Sequence, residues 1–63
     1  MHQLSTTDLQ NLRHIMLEEQ VTAQKSDYFA QHVSNPQLKT HLNRKAQRCR
    51  QNIQKLNQFL GQF

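Results

Sequence analysis

Structural breaks are scarce in this 63-residue chain, which has one glycine, one proline and no tryptophan. So little punctuation speaks against a many-turned β architecture and for long helices. The single cysteine, Cys49, cannot form an internal disulfide, so nothing here calls for an oxidising compartment. No run approaches the roughly 18 consecutive apolar residues of a membrane span, and no basic segment followed by an apolar core resembles a signal peptide. The expectation is a cytoplasmic, unsecreted protein with no membrane partner. Hydrophobic residues make up only 35%, while eleven Gln and five Asn fill many polar positions. That is lean for an independent core at a length where burial already struggles to offset conformational entropy.

Acidic residues are missing from the second half. Residues 1–34 hold all four acids (Asp8, Glu18, Glu19, Asp27) against Arg13 and Lys25, a net −2. Residues 35–63 hold Lys39, Arg44, Lys45, Arg48, Arg50 and Lys55 and no acid, a net +6. Halves of opposite sign suit helices packed side by side, within one chain or between chains.

What is present is a helical rhythm broken once, at Ser34-Asn35-Pro36. Proline is tolerated in the first turn of a helix, where its missing N–H has no partner anyway. Asn35 can cap that turn, with Ser34 the competing candidate. The chain therefore reads as one all-α hairpin over 1–63. Helix one runs from about 6 to 33, the hinge covers 34–36, and helix two runs from about 37 to 60. Met1 to Leu4 is expected to fray; Ser5, Thr6 or Thr7 caps helix one, with Asp8 favourably placed in its first turn. Gly61 is the expected stop of helix two, through a left-handed conformation.

Leu9, Leu12, Met16, Glu19, Ala23, Ser26, Ala30 and Val33 follow alternating spacings of three and four, a continuous seam widened along one edge by Ile15, Thr22 and Phe29. In helix two, Leu42, Ala46, Cys49, Ile53, Leu56, Leu60 and Phe63 do the same, with Leu38 and Phe59 alongside. An antiparallel fold sets Val33 near Leu38, Ala30 near Leu42, Ala23 near Cys49, Met16 near Leu56 and Leu12 near Leu60; Glu19 falls near Asn52 and Ile53. Two helices leave each core residue half exposed, so a dimer forming a four-helix bundle is the economical solution. Leu17, Val21 and Tyr28 lie almost opposite the helix-one seam. With Ile53 and Leu56 they are the candidate oligomer contacts.

Residues able to carry chemistry are few. Glu19 occupies a seam position where leucine is expected, and His14 and Glu18 are spaced i,i+4, so these three are the metal candidates. Glu-x-x-His, the spacing that points two ligands inward in carboxylate-bridged bundles, is absent, and neither metal nor cofactor is expected. Cys49 reads as a small hydrophobe: the flanking Arg48 and Arg50 could lower its pKa, but their side chains leave the helix at about 100° to either side. No acid-base partner is placed to make it a nucleophile, so no enzyme is expected. Arg44, Arg48 and Lys55 share an outward strip of helix two and are the candidates for phosphate contacts, though no aromatic residue interleaves them.

The LSTTDLQNL start, LEEQVTAQKSDYFAQ, the SNPQLK hinge, A-x-x-C and I-x-x-L-x-x-F-L together resemble the small spore coat F-like proteins of spore-forming bacteria, over residues 4–60. Glu19, Lys25, Tyr28, Ala30, Pro36, Leu38, Lys39 and Ala46 map onto family-like positions; Cys49 departs where relatives often carry histidine. The resemblance implies a ferritin-like hairpin that assembles into bundles, located in or with the spore coat and partnered by itself and other coat proteins. It implies no catalytic mechanism. The expected function is thus a non-enzymatic assembly protein; the alternative is a small dimeric helical module that binds nucleic acid through the basic face of helix two.

Overall fold

A computed structural model describes residues 4–62 of the chain. The expected fraying of the first residues falls partly outside them, at positions 1–3, as does the seam position assigned to Phe63. Two helices, α1 (Thr6–His32) and α2 (Pro36–Leu60), pack as a hairpin. Among the described residues there is no strand, and no helix is long and apolar enough to cross a membrane.

Both helices begin on side-chain caps. Ser5, extended at φ −66° and ψ 163°, accepts from the Asp8 N–H at 3.0 Å. Asn35 rather than Ser34 caps α2, its Oδ1 accepting from the Leu38 N–H at 3.0 Å, and Pro36 takes the first helical position. Helix one stops at His32, one residue earlier than expected. Val33 turns extended there and donates its N–H to the Phe29 carbonyl at 3.0 Å.

Gly61 does stop α2, but not in the left-handed conformation expected of it. Its φ of −66° and ψ of −11° are right-handed. The Gly61 N–H still reaches the Asn57 carbonyl at 3.0 Å, and the Gln62 N–H reaches that of Phe59 at 3.1 Å. A three-residue closure of this kind tightens the last turn and satisfies carbonyls without a positive φ. A Cβ at Gly61 would meet its nearest atoms at 3.4 and 3.6 Å, ordinary contact distances. We therefore predict that Gly61→Ala raises stability by about 0.5 kcal/mol through the unfolded chain, read as a higher urea midpoint with unchanged slope; a lower midpoint would contradict this geometry.

The seam is where the periodicity puts it, and its chemistry explains the shape. Ala23, Ser26 and Ala30 of α1 and Ala46 and Cys49 of α2 are buried. Small side chains let helix backbones approach closely, but each buries little. One methyl contributes about 0.8 kcal/mol, whereas ordering one residue's backbone costs roughly 1–2 kcal/mol. The larger seam residues Leu9, Leu12, Met16, Leu42, Ile53, Leu56 and Leu60 are only half-buried, because a single layer of two helices covers them from one side. Measured over Cα atoms the layer spans 50 × 16 × 11 Å. Its radius of gyration is 14.8 Å, against roughly 10.6 Å for a compact chain of this length.

Candidate functional site

Among the described residues, a shallow groove runs along each edge of the seam. One, of about 470 Å³, is lined by Glu18, Glu19 and Thr22 of α1 and by His41, Arg44, Lys45, Arg48, Cys49 and Asn52 of α2. Its walls are acidic on one helix and basic on the other, as the charge division between the halves dictates. The second groove holds Met16, Gln20, Ala23 and Gln24 opposite Arg50, Ile53 and Asn57.

Glu19 and Cys49 meet in the first groove. Spacing places Glu19 near Asn52 and Ile53; Asn52 does share its groove, but Ile53 lies in the other one. The Cys49 thiol, only 6% exposed, has its pKa raised, first by burial and then by the neighbouring Glu19 carboxylate. Lys45 and Arg48 pull the other way without prevailing. The flanking arginines therefore do not make this thiol acidic. Arg50 is turned to the opposite edge, and the buried thiol loses more from desolvation than Arg48 restores. Cys49 is accordingly held as a thiol rather than as a nucleophilic thiolate.

A proton bound more tightly in the folded chain than in the unfolded one contributes stability below the ordinary thiol pKa of 9.0. That contribution is lost as pH rises through this value towards the folded one. We predict that the urea midpoint falls between about pH 8 and 10 more steeply in the parent than in Cys49→Ala. Equal slopes would show that the thiol ionises alike in both states.

Asp27 and Arg50 form an ion pair between the helices, at the edge away from Cys49. Spacing does not foretell it. Asp27 follows the seam residue Ser26 by one position, and the only available signal is the division of charge between the halves.

The remaining candidates are dispersed. His14 Nε2 lies 2.8 Å from Glu18 Oε1 with both side chains largely exposed, and Glu19 faces Cys49 instead of joining them. Among the described residues no group of three or more His, Cys, Asp or Glu side chains is arranged to hold a metal. Arg44 and Arg48 line the first groove, and Lys55 is exposed on the same helix. Glu18 and Glu19 stand in the same groove and oppose a polyphosphate there.

Among the described residues, seven large apolar side chains are between 38% and 58% exposed: Ile15, Leu17, Val21, Tyr28, Phe29, Leu38 and Phe59. Tyr28 stacks on the His32 ring with centroids 4.2 Å apart and meets the Phe29 ring edge-on at 5.6 Å. His32 is held in place by a 2.7 Å contact from Nδ1 to the Tyr28 carbonyl. Ile53 and Leu56, candidate contacts for another chain, are half-buried on the seam. No family model, curated protein or solved structure matches this chain.

Proposed function

We propose that this chain is a non-enzymatic structural protein that works by self-association, its hairpins pairing into four-helix bundles. One observation carries the reading: the chain exposes too much surface for its mass. Its accessible surface is 5318 Å², whereas a compact folded monomer of 7.5 kDa exposes roughly 4,200 Å². The excess of roughly 1,100 Å² slightly exceeds one partner's share of a standard protein interface, about 800 Å². Seven exposed large apolar side chains and a core of alanine, serine and cysteine agree with it.

The ferritin-like hairpin and the spore-coat setting belong to the same proposal and rest on the LEEQ and SNPQLK resemblance. In that setting the chain associates with itself and with other coat proteins, and Leu17, Val21 and Tyr28 offer a further apolar contact on the back of α1. Sedimentation equilibrium at micromolar concentration tests the central claim. The expected mass is twice that of the chain or a higher multiple, with helicity lost on dilution. A monomer that melts cooperatively and independently of concentration would overturn it.

A further inference from the structure

The self-association proposed above leaves open which face pairs and in which orientation, and the side-chain arrangement addresses both. Thr22 lines the acidic-basic groove, and Ile15 and Phe29 sit seven residues to either side of it, two helical turns away on the same edge. On α2, Lys45 and Asn52 line that groove, and Leu38 and Phe59 continue their seven-residue row. Four of the seven exposed large apolar residues therefore flank one face. Ile15 and Phe59 lie at its open end, Phe29 and Leu38 at its hinge end, and the charged groove between them. The opposite edge carries glutamines, asparagine and an ion pair already closed within the chain.

Two symmetric ways exist to lay this face on a second copy. A two-fold axis across the helices puts the hinges at opposite ends and stacks α1 on α1 and α2 on α2. An axis along the helices keeps the hinges together and stacks α1 on the α2 of the second copy. Apolar contact does not choose between them, because both bring end patches onto end patches. Charge does. The first sets the +6 half against itself, with Arg48 near its own symmetry mate; the second sets it against the −2 half, bringing Glu18 and Glu19 towards the Arg48–Lys55 strip. Like charges juxtaposed across an interface cost several kcal/mol.

We propose that a second copy of this chain docks on the face carrying Ile15, Phe29, Leu38 and the Glu18–Arg48 groove, with both hinges at the same end and α1 lying across the α2 of its partner. This rests on the self-association reading and adds its geometry. In this dimer Ile15 approaches Phe59 of the second copy, Phe29 approaches Leu38, and the basic wall of each groove is neutralised by the acidic wall of the other.

Four measurements test it on the full chain. A spin label at Ser34→Cys in a Cys49→Ala background reports the hinge-to-hinge distance. Hinges at one end give roughly 10–25 Å, one interlayer spacing of about 10 Å plus the label arms; hinges at opposite ends give about 50 Å, the length of the hairpin, and overturn the proposal.

The second uses the unaltered chain. Raising salt from about 0.05 to about 0.5 M weakens the dimer roughly tenfold when unlike halves face each other, and strengthens it when like halves do. The third is charge exchange. Glu18→Lys and Arg48→Glu each weaken the dimer about tenfold, and mixing the two variants restores it, because both cross-chain pairs are then complementary. No recovery on mixing counts against the geometry.

Ile15→Ser with Phe29→Ser raises the dissociation constant by about a hundredfold or more, whereas Leu17→Ser with Val21→Ser leaves it within about threefold; the reverse pattern would put the interface on the other side. A chain that stays monomeric throughout defeats the self-association reading itself, while a dimer with distant hinges defeats this geometry alone.

Discussion

Replacing Ile53 with aspartate abolishes the folded protein: far-ultraviolet circular dichroism at room temperature falls to that of a largely unfolded chain. Ile53 lies on the α2 seam against Met16 and Ala23, among the few large apolar side chains that bridge the helices. Losing the isoleucine's apolar contacts removes up to about 1.5–3 kcal/mol, and an aspartate at this half-buried position adds a desolvation cost of about 1–3 kcal/mol. Arg50 in the same groove gives little relief, because Asp27 already engages it. A core whose largest buried apolar side chain is Cys49 has no reserve against such a loss. Retention of more than half the native helical signal at micromolar concentration would show that the seam does not hold the fold together. Ile53→Val, by contrast, costs only about 1 kcal/mol and leaves the protein folded.

Ala46→Leu separates the helices without introducing a charge. Ala46 is 0% exposed, buried at the hairpin's tight waist with Ala23, Ser26, Ala30 and Cys49. The added isobutyl atoms have no cavity to enter and must displace α1. Overpacking of this kind costs about 1–3 kcal/mol, equivalent to a fall in melting temperature of roughly 5–20 °C for a domain of this size. Because leucine is nearly as good a helix former as alanine, the loss can be assigned to packing rather than propensity. Thermal unfolding at fixed protein concentration provides the measurement. An unchanged or higher melting temperature would mean that α1 and α2 are not in contact at Ala46. The control is Gln47→Leu, one position along on the exposed side of α2, which should change the melting temperature by no more than about 2 °C.

Much of this is legible residue by residue. The alternation of three and four from Leu9 to Val33 and from Leu42 to Leu60 identifies the buried stripe, and Asn35-Pro36 marks the start of α2, because caps and periodicity are local properties of the chain. Gly61 misleads for the same reason. Glycine permits a left-handed cap but does not require one, and the carbonyls of Asn57 and Phe59 are satisfied by tightening the turn instead.

The Glu19–Cys49 and Asp27–Arg50 contacts are beyond the reach of spacing. Seam arithmetic assigns partners at the level of the backbone, while these contacts depend on the side to which each long side chain leans as the helices pass. The charge on Arg48 and Arg50 suggests an acidic thiol. Burial and the carboxylate of Glu19 reverse that sign, and neither can be weighed until the facing helix is in place.

The sequence by itself determined two helices, one hinge, the buried stripe and the division of charge, since each follows from side-chain spacing, backbone restriction at proline and composition. Only the tertiary structure decided that the stripe closes over nothing larger than a cysteine, that Asp27 is committed to Arg50, and that four exposed apolar side chains share a face with an acidic-basic groove. The physical reason is that helix formation is governed by neighbours three and four residues away, whereas burial, desolvation and the sharing of a face arise only when one helix is laid against the other.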